Sequence, residues 1–269
     1  MSDREKYNRL KKKVKIVRVF FVIGCITTLM VIGMPILLIT ISMLGDLNDQ
    51  MKSLYKKIFV EDELKKTFEN VDYQPNRGFT KKDVLKLGLS KEGNSYTSED
   101  YLSASYKGVN FKIADVIVKQ IEDRTEKTYF KGRMMFFDIP NKKVAQVLVF
   151  SDTFKNRPQS EIKCYDSKVE LESIQFNENF DVYSENEQDA FYFLTPLLID
   201  RLLQLQEKCE SISINVKGSR VTIGLNEPFN NAFDSNAIGH LSDEAEIAKV
   251  HKDIEDIKNI ISVIVFGEL

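Results

Sequence analysis

Residues 19–44 read VFFVIGCITTLMVIGMPILLITISML, 26 residues without a charge between Arg18 and Gly45-Asp46. As one helix they would extend about 39 Å, longer than the ~30 Å hydrocarbon core of a bilayer. Gly24, Thr27, Thr28, Gly33, Pro35, Thr40 and Ser42 interrupt the apolar pattern, and all are tolerated in membrane helices. The run therefore predicts an N-terminal transmembrane helix over residues 19–45, with the bilayer in contact with the chain from Val19 to Leu44. A cleaved secretory signal does not fit, because its apolar core spans about 7–15 residues and ends at a small-residue cleavage site. Two full crossings would need about 40 apolar residues and a turn.

The flanks set the expected orientation. Residues 1–18 carry eight basic side chains (Arg4, Lys6, Arg9, Lys11, Lys12, Lys13, Lys15, Arg18) against Asp3 and Glu5. Residues 46–66 carry five basic and five acidic ones. The bias predicts a single-pass cell-membrane protein with a cytoplasmic N-terminus and the C-terminal domain outside.

Beyond residue 45 lie 224 residues, enough for one large domain or two small ones. Removing the leader from the totals of 38 basic and 40 acidic residues leaves 30 and 38, a net charge near −8. An acidic domain without a Lys/Arg stripe is a poor match for nucleic acid. Of the three cysteines, Cys25 lies in the apolar run; Cys164 and Cys209 could pair in an oxidising space or both stay free.

Leu47, Met51, Leu54 and Ile58 keep helical spacing, which predicts a helix over 46–70 opening a juxtamembrane helical stalk, 46–90. After the turn cluster at 74–78, Thr80 and Asp83 form a capping box for a short helix that ends near Gly88. From Ser98 the period becomes two, predicting strands at 99–106, 109–121, 128–139 and 144–151. Shorter strands are expected near 168–176 and 180–183. Ser184-Glu185-Asn186-Glu187 reads as a capping box opening a helix whose apolar stripe runs through Phe191, Leu194, Leu198, Leu202 and Leu205. Proline at 196 should break that helix, with Thr195 capping its second part. Ile212, Ile214 and Val216 alternate with polar residues, as do Val221, Ile223 and Leu225, around Lys217-Gly218-Ser219: a hairpin. A polar loop with Phe229 and Phe233 follows, and then a final helix from Ser242. The fold class expected is α+β: transmembrane and stalk helices, then one domain (91–269), a mainly antiparallel sheet of six to eight strands packed by a kinked helix and a C-terminal helix.

The blocks Val169-Glu170-Leu171-Glu172-Ser173-Ile174-Gln175-Phe176, Phe180-Asp181-Val182-Tyr183-Ser184 and Phe193-Leu194-Thr195-Pro196 resemble the signature of a bacterial membrane-protein family catalogued as domain of unknown function 3137. Asp100-Tyr101-Leu102, Phe130-Lys131-Gly132 and the 212–225 hairpin are similar to its pattern too. The resemblance implies a membrane-associated protein without an assigned activity. Members of that family usually carry two N-terminal spans, whereas the run here has length for one.

No motif names a reaction. His240 and His251 lie away from any metal-ligand spacing, the glycines are scattered singly, and Gly-x-Ser-x-Gly, His-Glu-x-x-His and Cys-x-x-Cys are all missing. No catalytic residue, metal ligand or cofactor is expected. Glu170 and Glu172 share one face of their segment, as a solvated face or as a carboxylate pair. The candidate binding residues are Asp181, Tyr183 and Thr195, at the concave corner that a bend at Pro196 would make. Three classes of function remain: a non-catalytic module binding another membrane or envelope protein, a membrane-proximal domain for a small ligand or lipid, and an enzyme with an unrecognised site. The first accords best with the missing motifs.

Overall fold

A computed structural model describes residues 2–27, 33–140, 143–165, 168–227, 233 and 243–266. Backbone contacts divide the chain into two compact units: residues 1–67 with 233–254, and residues 68–232 with 255–269.

In the first unit, helices α1 (Asp3–Thr27) and α2 (Gly33–Tyr55) pack on each other. A wider π-helical turn, Lys56–Glu61, leads into α3 (Asp62–Thr67). Lys57 donates to Asp3 at 2.8 Å and the Tyr7 ring meets Phe59 edge-on, so α1 and α2 run antiparallel. The seam between them follows from heptad spacing: Tyr7, Val14, Val17 and Gly24 are buried on α1, and Thr40 and Met51 on α2. The 26-residue run is thus shared between two helices instead of forming the single one expected. Pro35 gives the local reason. It lies in the first turn of α2, where backbone N–H groups have no intrahelical partner and a proline costs nothing. Among the described residues no helix is long and apolar enough to cross a membrane.

The second unit is built on a sheet. Its elements in order are β1 (Glu69–Gln74), α4 (Lys81–Leu87), β2 (Ser95–Tyr106), β3 (Val109–Glu122), β4 (Thr125–Asp138) and β5 (Val144–Ser151). They are followed by α5 (Gln159–Ile162), α6 (Ile174–Asn179), β6 (Phe180–Ser184), α7 (Glu187–Phe193), α8 (Pro196–Gln206), β7 (Ser211–Gly218) and β8 (Arg220–Asn226). Helix α9 (Asp243–Ile261), whose residues to Ile254 belong to the first unit and from Glu255 to the second, closes with a π-helical turn, Ser262–Phe266. Among the described residues the eight strands form one sheet in the order β1-β2-β3-β4-β8-β7-β5-β6, and every pairing is antiparallel. The α+β class stands. The β7–β8 hairpin is inserted between β4 and β5, which follow each other in sequence.

Both faces of the sheet are covered. On one, α4 packs over Val116, Val118, Phe130, Met134, Leu148 and Phe150. On the other, Ile223 lies against Leu198 and Leu202 of α8 and against Val263 and Ile264. Ser213, Asn215 and Thr222, polar residues that alternate along β7 and β8, are therefore buried on the face that α4 covers and do not face water. Asn215 and Thr222 are buried and both donate to the carbonyl of Leu87 at 3.2 Å, satisfying the last turn of α4.

Several expectations change. The capping box of Thr80 and Asp83 is present, and Gly88 closes α4 with φ 62°. The stalk region does not run as helix to residue 70, because β1 begins at Glu69 and pairs with β2. The strand expected at 168–176 reduces to a bridge from Val169 to Val182, followed by α6. Ser173 caps α6 by accepting from the Phe176 amide, so a local turn wins over the partial alternation of the segment. The cap of α7 is Asn186 and not Ser184, which ends β6 and donates to the Gln146 carbonyl. The helix breaks before Pro196, as its sequence requires. Phe229 and His240 lie outside the described residues; Phe233 is buried.

Candidate functional site

Asp181 is the second residue of β6 and pairs with Phe150 of β5 across the ladder. It is buried, at 8% exposure. One carboxylate oxygen accepts from Arg157 and the other from Lys168. Arg157 also donates to the carbonyls of Phe154 at 2.8 Å and Ser151 at 2.9 Å. Burial pushes the Asp181 carboxyl up, but hydrogen bonds and attraction from Lys168 and Arg157 more than offset it and hold it below the usual range. The Lys168 ammonium is pushed up, chiefly by the hydrogen bond to Asp181. Spacing did not indicate either cation: Arg157 comes from an irregular loop, and Lys168 reaches Asp181 only because Val169 bridges Val182.

Tyr183 is partly buried beside Phe150 and Tyr165, with ring centroids at 6.5 and 6.3 Å. Burial, then the negative charge of Glu185, pushes the Tyr165 phenol up to about 12. Its hydroxyl is buried without a hydrogen-bond partner. Thr195 is exposed, and its hydroxyl accepts from the Leu198 amide at 3.3 Å as the N-cap of α8. Among the three candidates, then, Asp181 is held in an ion cluster, Tyr183 packs in an aromatic group and Thr195 caps a helix. Glu170 and Glu172 are exposed while Val169 and Leu171 are buried, as a solvated face requires.

An apolar cleft lies beside α8, lined by Leu198, Leu202, Ile223, Ile260 and Val263, with Arg201 and Lys208 at its rim. Its volume is about 80 Å³. An enclosed cavity that holds a benzene molecule is about 150 Å³, roughly twice this volume. On α7, Phe191 and Tyr192 are exposed at 45% and 58%.

In the first unit, His251 sits 2.7 Å from Glu63, which also pairs with Lys66. The hydrogen bonds from Lys66 and then His251 hold the Glu63 carboxyl below its usual range. No group of three His, Cys, Asp or Glu among the described residues is placed to hold a metal ion. The cysteines are free; Cys164 is exposed and Cys209 buried, and burial with Glu227 beside it pushes the Cys209 thiol up.

The largest departure from an ordinary protein surface is on α1 and α2. Val19, Phe20 and Val22 on α1 and Leu38, Ile39 and Ile41 on α2 are each more than half exposed. Off the seam, residues 3–15 and 45–57 are mostly polar or charged, whereas the described residues of 19–43 carry no charge on any side. A helix apolar on every side is found in a core or in lipid.

These features define a mixed α+β protein: an antiparallel sheet covered on both faces, and a helix pair with one apolar end. The chain belongs to the family described as "Protein of unknown function (DUF3137)", whose model matches residues 128–265. Among solved structures, the chain is similar to the mycobacterial trehalose monomycolate transport factor A, TtfA. The two are 12% identical with a TM-score of 0.40, over 78% of this chain and 93% of that one. A search of curated proteins gives no match.

Proposed function

We propose that the protein is a membrane-attached, non-catalytic interaction module whose sheet domain binds another membrane or envelope protein. The observation that carries the attachment is the apolar end of α1 and α2, where nine large apolar side chains are exposed among the described residues. Contiguous apolar surface of this kind marks a membrane or protein contact. For the partner, Phe191 and Tyr192 are two exposed aromatic residues on α7, and aromatic side chains are the type that anchors interfaces. The non-catalytic reading is supported by the Asp181 carboxylate, whose two oxygens are both taken by cations within the chain.

The test is crosslinked capture of the full chain from detergent-solubilised membranes, beside a Phe191→Ala/Tyr192→Ala variant. A stoichiometric partner that the variant loses supports the reading. If no partner is captured, the interaction module falls; if the variant retains the partner, α7 is not the contact.

A further inference from the structure

The helix pair has an apolar end and a charged end, and the two boundaries between them lie level. On α1 the boundary is Arg18, the last charge before Val19; on α2 it is Asp46, the first charge after Leu44. Asp3 pairs with Lys57, Tyr7 meets Phe59 and Lys13 shares a groove with Asp49, so facing residue numbers sum to about 60–66 along the antiparallel pair. Continued one step, the same register sets Arg18 opposite residues near 42–48.

The apolar arms are short: the described parts, residues 19–27 of α1 and 33–44 of α2, rise about 14 Å and 18 Å, and the whole 26-residue run divided between two antiparallel arms gives each about 20 Å. One leaflet of the hydrocarbon core is about 15 Å deep, and a crossing helix needs about 20 residues. Each arm fits one leaflet and neither fits two.

Charge fits the same placement. A groove along α1 passes from Lys11, Lys12, Lys15 and Arg18 to Val19 and Val22, a cationic stretch that leads directly into an apolar one. Anionic headgroups above acyl chains present the complementary order. Of the five basic residues that follow the run, Lys56 is buried, and Lys52, Lys57, Lys65 and Lys66 are then on the same side of the bilayer as the eight that precede it.

Building on the membrane attachment proposed above, we infer that α1 and α2 enter a single leaflet of an anionic bilayer as a helical hairpin and do not cross it. The chain leaves the membrane on the side where it entered. This reverses the orientation expected from the basic-residue bias, since the sheet domain is then on the side of the N-terminus.

The test uses the full chain in sealed membrane vesicles of known sidedness and a membrane-impermeant maleimide. The native cysteines serve as reporters: Cys25 is exposed in the apolar arm of α1, and Cys164 is exposed in the sheet unit. A third reporter, Asn8→Cys, marks the charged end, and each reporter is read with the other exposed cysteines changed to serine. The expected result is labelling of Asn8→Cys and Cys164 from the same face and of Cys25 from neither face until detergent is added. Labelling of Asn8→Cys and Cys164 from opposite faces would establish a crossing and overturn the hairpin. Labelling of Cys25 from the far face would indicate two crossings and overturn it as well. Both results leave the membrane attachment standing. Recovery of the unmodified chain in an alkaline carbonate supernatant would instead remove the attachment, and the hairpin with it.

Discussion

Asp181 is a buried carboxylate with two cations, so its removal strands Arg157, itself mostly buried. Breaking a buried pair from one side typically costs ~3–5 kcal/mol. Lys168 is more than half exposed, and an exposed partner is worth roughly 0–1 kcal/mol. Urea melts should therefore show Asp181→Ala far more destabilising than Lys168→Ala; equal losses would mean that Arg157 is held by the carbonyls alone. The same cluster makes a pH prediction. The Asp181 carboxyl is held lower in the folded state than in the unfolded chain, so its contribution is complete above the unfolded value of ~3.9 and is lost as pH falls through the folded one. Asp181→Asn should flatten the fall in melting temperature below about pH 4. Parallel acid limbs for the two proteins would contradict this. At Thr195 the expectation is smaller: Thr195→Ala removes an N-cap worth ~1 kcal/mol, whereas Pro196→Ala at the first helical position should change little.

The elements depend on a few close approaches. At Gly132, where β4 meets β8, an added Cβ would lie 2.0 Å from the Leu225 carbonyl oxygen and 2.7 Å from the Glu227 amide. Both obstacles are backbone, so neither can rotate away. Gly132→Ala should destabilise by more than ~3 kcal/mol or prevent folding, a backbone clash of the severe class. Under α8, Phe180 stacks on Phe176 at 4.6 Å and Leu198 is 3% exposed. Phe180→Ala and Leu198→Ala should each cost ~2–5 kcal/mol in thermal melts. Unmoved melts would show that this face of the sheet is loosely packed. At this scale the readable features were those with local causes: the Thr80 capping box, the break before Pro196 and the β7–β8 alternation. β1 was not readable, because Glu69-Asn70-Val71-Asp72 has neither alternation nor β-branched density and becomes a strand only by pairing with β2. Nor was the covering of Asn215 and Thr222 by α4, since a polar residue that bonds a helix carbonyl looks in sequence like one that faces water. The ion cluster was half readable: Asp181 stood out at a strand start, but Arg157 and Lys168 reach it only through tertiary contacts.

For the molecule as a whole, the proposed attachment rests on side chains that face away from the protein. Phe20 is 53% exposed and Leu38 is 63% exposed, and neither is on the α1–α2 seam. A charge at either position should cost the helix pair little in water, because an exposed surface substitution changes stability by about 0.5 kcal/mol or less. In hydrocarbon the same charge costs ~2.5–3.5 kcal/mol near a helix centre on insertion scales, and less toward the interface. Phe20→Asp with Leu38→Asp should therefore shift the chain from the membrane pellet to the carbonate supernatant while the melting temperature of the solubilised protein stays where it was. The basic end supplies a second, weaker hold, of ~1 kcal/mol per Lys or Arg against an anionic surface, and salt screens it. Lys11→Gln, Lys12→Gln and Lys15→Gln together should then weaken binding to anionic vesicles at low salt and matter little at high salt. The two changes separate the two contributions: the aspartates remove retention at any ionic strength, the glutamines only the salt-sensitive part. If the double aspartate chain stays in the pellet with an unchanged melt, the apolar end of α1 and α2 is not what holds the protein to the membrane.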